Sequence, residues 1–102
     1  MRIIAGDKRG AKIFAPKGHD VRPTGDRVRE AAFNLIGPVD GASVLDVFAG
    51  SGAYGLEALS RGAARAVFAE ADHAAYDSIR QNVQKLRLTG ATILHRDAIQ
   101  VL

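Results

Sequence analysis

The stretch "VLDVFAGSGAYGLEAL", residues 44–59, constrains this chain more than any other. An apolar run ends in a turn carrying glycines at 50, 52 and 55, and an apolar segment with helical spacing follows. Glycines at that density mark a sharp change of backbone direction, so the chain passes from strand to helix there. Gly50-Ser51-Gly52-Ala53-Tyr54-Gly55 fits G-x-G-x-x-G, the pattern of dinucleotide pockets. One residue does not suit that pattern. Asp46 lies within the strand itself, four residues before Gly50.

The flanking sequence extends the alternation. "SVLDVF" (43–48) reads as a short buried strand, and a helix runs from about Gly52 to Arg61, where Gly62 stops it. "RAVFAE" (65–70) is a second strand. Residues 72–88 have the period of a long helix with Ala75, Ile79, Val83 and Leu86 inward, and after Gly90 "ATILHR" is a third strand. Strand-helix-strand-helix-strand means parallel strands joined by right-handed crossovers, an α/β Rossmann-like sheet in the order 3-2-1. Only one half of a doubly wound unit is present. The edge of the first strand would lack its usual neighbour, which invites self-association through the exposed sheet edge.

Upstream of the alternation, "RIIAG" and "AKIFA" read as a small hairpin around the turn from Gly6 to Gly10. "PKGHDVRPTGD" must be loop. Thr24 or Asp26 then caps a helix that runs to about Ile36, with Val28, Ala31, Ala32, Leu35 and Ile36 on one face, and Gly37-Pro38 ends it. The chain therefore divides into residues 1–38, a hairpin and a helix, and residues 39–102, the first half of a Rossmann-like domain.

Composition narrows the class. The 102 residues are 47% hydrophobic and 25% charged, an ordinary globular balance, and no stretch is apolar for long enough to span a bilayer. The start, "MRIIAGDKRG", has no apolar secretion core. The absence of cysteine excludes disulfides and thiolate metal sites and suits a cytoplasmic protein. His19, His73 and His95 are too far apart in sequence to suggest a metal site. Charge is uneven: residues 1–30 hold eight basic groups against four acids, a net of +4, and the remainder has a net of −1. A basic segment on a neutral α/β core suggests a polyanionic partner, most simply nucleic acid.

Three acids fall at the ends of the three strands: Asp46, Glu70 and Asp97. Ligands of open parallel sheets lie beyond those ends. Glu70, 20 residues after Gly50, is placed for a carboxylate that accepts both hydroxyls of a ribose, and Asp97 could accept from an adenine amino group. A dinucleotide brings a pyrophosphate, which wants amide N–H groups and no adjacent negative charge. S-adenosylmethionine has no phosphate and carries an ammonium and a sulfonium, so an acid such as Asp46 is useful there. A dinucleotide-dependent oxidoreductase stays the alternative, as does a non-catalytic module that pairs through its sheet edge.

"RIIAG", "RPTGDRVREAAFNLI" and "LDVFAGSGAYGLEALSRGA" together resemble the RsmD family of 16S ribosomal RNA guanine-N2 methyltransferases, in the right order across essentially the whole chain. The resemblance implies a class I methyltransferase fold, S-adenosylmethionine as methyl donor, and 16S rRNA or a small-subunit precursor as partner. By it, Asp46, Phe48, Gly50, Ser51 and Gly52 belong to the first cofactor motif, Glu70 is the ribose acid, and Asp97-Ala98 is the adenine-side motif. Arg27 falls near the cofactor's methionine end, as a partner for its carboxylate or as a structural ion pair. Lys8, Arg9, Lys12 and Arg22 would meet RNA phosphates. The family's D/N-P-P-F/Y motif, which holds the target amine, does not occur, since the only prolines are Pro16, Pro23 and Pro38. The 102 residues alone are therefore expected to bind cofactor without turning over, and no catalytic residue is assigned.

Overall fold

The computed structural model describes residues 1–15, 23–47 and 50–96. In chain order the elements are α1 (Pro23–Ile36), β1 (Ser43–Val47), α2 (Ala53–Ser60), β2 (Arg65–Ala69), α3 (His73–Leu86) and β3 (Ala91–Leu94). The strands form one parallel sheet in the order β1-β2-β3, as the alternation implies. Asp46 stands opposite Phe68 and Val47 opposite Ala69, while Ala69 in turn faces Leu94, so the three strand ends are level.

Local signals start and stop these elements. Gly52 caps α2 from the left-handed region at φ 78°, where a side chain is strained. Asp72 caps α3 by accepting the Ala75 N–H at 2.9 Å. Both helices pack closely on the sheet through small residues. A Cβ added to Gly55 would stand 2.2 Å from the Phe68 ring, so α2 can approach β2 only because that position is glycine. Leu56, Ala58, Ala66, Phe68 and Ile79 are wholly buried at this junction.

Ile3, Ile13 and Phe33 belong to the same apolar cluster as Leu56, Phe68 and Ile79, so the N-terminal arm and α1 share the core of the sheet. The arm forms less strand than its sequence suggests. It makes a single antiparallel bridge, Arg2 with Lys12, and its chain is held by Ile3 N–H to the Ala11 carbonyl (2.9 Å) and Ile13 N–H to the Met1 carbonyl (2.8 Å).

Helix α1 departs further from expectation. The apolar positions Val28, Leu35 and Ile36 are exposed, Leu35 by 90%, whereas Arg29 and Phe33 are buried. An ion-pair partner for Arg29 and a cation for Phe33 turn the helix: the Arg61 guanidinium stands 4.6 Å from the Phe33 centroid. Beside the exposed face, β1 is an edge strand with Leu45 half exposed. Phe33, Ile36, Val44, Leu45, Val47 and Tyr54 line an apolar groove of about 350 Å³ along it. Asp46 lines it as well, and Tyr54 carries it to the start of α2, beside the glycine turn.

Candidate functional site

The level strand ends bring Asp46 and Glu70 to the two sides of the glycine turn. Asp46, near the end of β1, reaches into the first turn of α2, where its Oδ2 accepts the Gly55 N–H at 3.0 Å. Gly52 has no side chain with which to cap the helix, and the strand carboxylate takes over that part. Glu70, just past β2, holds the turn from the other side: its Oε2 accepts the Gly50 N–H at 3.1 Å and its Oε1 the Asp72 N–H at 3.3 Å. Burial pushes the Asp46 carboxyl up to about 6, the Gly55 N–H pulls it back in part, and the negative charge of Glu70 raises it further.

The three glycines have different reasons to be there. Gly50, at φ 58°, has nothing within 4 Å of the place a Cβ would take, so the backbone is open to an approaching group. Gly52 and Gly55 instead press on Ile79 and Phe68. Only the first glycine of the fingerprint faces free space. Ser51 sits between them and donates its hydroxyl to the Met1 sulfur, 3.7 Å away.

Asp46, Gly50, Ser51, Gly52 and Glu70 are thus brought together. Phe48, Asp97, Ala98 and Arg22 lie outside the described residues. Arg27 is exposed on α1, and Arg29, two residues on, makes ion pairs with Asp26 and Glu57. Lys8 and Arg9 occupy the tip of the arm and Lys12 its return; Arg9 and Lys12 are exposed.

The tip is held by residues that sequence reasoning missed. Ser60, the last residue of α2, accepts the Asp7 N–H on its carbonyl (2.7 Å) and the Lys8 N–H on its hydroxyl (2.9 Å), and donates to the Ala5 carbonyl (2.8 Å). A Cβ on Gly6 would fall 2.0 Å from the Ser60 carbonyl oxygen. One turn earlier, Glu57 is wholly buried and accepts the Ile4 and Ala5 N–H groups and both Arg29 Nε and Arg61 Nε. Arg29 also donates to the Arg2 carbonyl and to Asp26. The available signal was a lone charge in the otherwise uncharged helix "AYGLEALS".

A parallel β1-β2-β3 sheet with a glycine turn at the end of its first strand, flanked by carboxylates on β1 and after β2, defines a Rossmann-like fold of the class I methyltransferase type. The C-terminal domain of the precorrin-6Y C5,15-methyltransferase from Rhodobacter capsulatus has this fold: 86% of the present chain and 46% of that one superpose with a TM-score of 0.74 at 21% identity. The chain belongs to the family described as Conserved hypothetical protein 95, whose model matches residues 1–102. It is 46% identical over 103 residues to the Ribosomal RNA small subunit methyltransferase D of Escherichia coli, covering 100% of this chain and 52% of that protein. A hypothetical protein of Thermus thermophilus has a solved structure with a TM-score of 0.82 at 36% identity, over 99% of this chain and 57% of its own. The chain spans about half the length of the curated relatives it matches. Among the described residues, no helix is long and apolar enough to cross a membrane.

Proposed function

We propose that this chain is the cofactor-holding part of an enzyme that methylates the exocyclic N2 amine of a guanine in 16S ribosomal RNA, with S-adenosylmethionine as donor. In this reading residues 39–102 hold the cofactor and the basic residues 1–38 meet the RNA. The names of the relatives support the substrate class. The observation that carries the cofactor is the pair of carboxylates, Asp46 and Glu70, on the two sides of one glycine turn whose first glycine faces open space.

The donor set fits S-adenosylmethionine better than a dinucleotide. Glu70 offers acceptor oxygens for ribose hydroxyls beside the Gly50 backbone. Asp46 is strained toward its neutral form by burial and by Glu70. A cation near it lowers that cost, and a pyrophosphate raises it. Asp46, Gly50, Ser51, Gly52 and Glu70, with Phe48, Asp97 and Ala98, would hold the cofactor, and Arg27 would face its methionine end. When bound, the cofactor supplies a methyl group on a sulfonium, open to attack by an amine. These residues bind and orient it; the 102 residues contain no D/N-P-P-F/Y element to hold the amine.

Calorimetry with S-adenosylhomocysteine and NADH tests this. Binding of S-adenosylhomocysteine, weakened about tenfold in Glu70→Gln, is expected. Tight NADH binding without the other ligand would sink the reading.

A further inference from the structure

The N-terminal arm ends beside the glycine turn, and one side chain joins the two. Asn82 of α3 is wholly buried. Its Oδ1 accepts the Phe14 N–H at 2.7 Å, and its Nδ2 donates to the Phe14 carbonyl at 2.9 Å and to the Ser51 carbonyl at 3.4 Å. The backbone of Phe14 is gripped as firmly as a strand residue, and it is gripped by the amide that also touches the turn.

The Phe14 ring is left outside, 49% exposed. The Lys85 ammonium stands 4.4 Å from its centroid and donates to the Lys12 carbonyl at 3.2 Å. An isolated exposed aromatic needs no explanation. An aromatic whose backbone is fixed by a buried amide, with one lysine over its face and a second two residues before it in the basic segment, has the composition of a single-strand nucleic-acid contact.

We propose that Phe14, Lys12 and Lys85 form a stacking platform for an unpaired RNA nucleotide that flanks the one presented at the glycine turn. Chemistry on an exocyclic amine requires its base to leave the stack, so the neighbouring bases lose a stacking partner as well. The face of the Phe14 ring away from Lys85 replaces that partner for any base, and the two lysines neutralise phosphates beside it. The flanking position rests on the function proposed above, whereas the stacking contact itself does not.

The chain contains no tryptophan, so F14W introduces a single fluorescent reporter. Titration with a short single-stranded oligoribonucleotide is expected to quench its indole emission. F14W should keep wild-type affinity and F14A should lose about tenfold. K12A/K85A should flatten the dependence of log K on log salt by about 1.4, the share of two phosphates on a single strand. S-adenosylhomocysteine affinity should be unchanged in F14A, because Asn82 holds the backbone of residue 14 and not its ring. Equal RNA affinity of F14A and wild type would overturn the platform, as would an F14W signal that ignores single strands or responds equally to duplex RNA or an acidic peptide. Wild-type chain that binds S-adenosylhomocysteine but no RNA also overturns it and leaves the cofactor reading standing. RNA binding that is F14A-sensitive without any S-adenosylhomocysteine binding upholds the platform and sinks the cofactor reading.

Discussion

Asp46 meets the first turn of helix α2 and Glu57 stands within that helix, and their surroundings differ in almost every respect. Glu57 is saturated: Ile4 N–H (2.8 Å) and Arg29 Nε (3.3 Å) meet one oxygen, and Ala5 N–H (3.0 Å) and Arg61 Nε (2.8 Å) meet the other. Asp46 accepts one N–H from Gly55, and burial, with a smaller contribution from the Glu70 carboxylate, lifts it to about 6. The first acid is a joint, with its desolvation offset by partners from the arm, α1 and α2. The second is under-compensated, and a group in that condition beside an open backbone is what the proposed cofactor site rests on.

The sharpest way to break this contrast is to remove the joint. Glu57→Ala leaves Arg29 buried without its main partner and should cost about 3–5 kcal/mol, a large share of the total for a domain of this size. Thermal denaturation by circular dichroism reads it, and a loss below about 1 kcal/mol would show that the joint is not structural. Next in size is Gly55→Ala, which drives a Cβ into the Phe68 ring and should cost about 1–3 kcal/mol in the same assay. Relief of that cost by a second substitution, Phe68→Leu, would confirm the cause.

Asp46→Asn sharpens the comparison, because it should move stability and binding in opposite directions. The folded carboxyl takes up its proton at about 6 and the ordinary carboxyl at 3.8, so the folded state holds more protons between those values. Wild-type stability therefore falls as pH rises from about 4 to about 6 and stays lower above it. An amide keeps the Gly55 bond and removes the charge. The variant should be more stable than wild type at pH 7 by about 1–2 kcal/mol, a figure discounted for partial exposure, and its melting point should be flat across that window. Its affinity for S-adenosylhomocysteine should drop about tenfold at pH 7. A destabilised Asp46→Asn would mean that the carboxylate is as well compensated as Glu57. The smallest structural effect is expected for Lys8→Ala/Arg9→Ala: an unchanged melting curve, since Ser60 holds the tip through backbone groups, with a flatter salt dependence of RNA binding.

Much of the sheet and of the glycine-turn site was legible in the sequence. Periods of 2 and 3.6 with glycine stops placed the three strands and their helices within a few residues, and the positions of Asp46 before Gly50 and Glu70 after it placed two acids beside one turn. The glycine fingerprint was less transparent, because Gly52 and Gly55 answer to Ile79 and Phe68 and only Gly50 to open space. Helix α1 misled for a similar reason. Its apolar positions suggest an inward face, yet a charge and an aromatic go inside because Glu57 and Arg61 wait for them there.

The sequence by itself determined the order of elements, the left-handed glycines of the turn and the acids at the strand ends, because each depends on residues close together in the chain. Only the tertiary structure decided which charges are buried and which apolar residues are left outside. Arg29 reaches Glu57 across 28 positions, Ile4 reaches it across 53 and Phe14 meets Asn82 across 68. A buried charge is tolerable only if its partners arrive together, and no local pattern records a partner that far away.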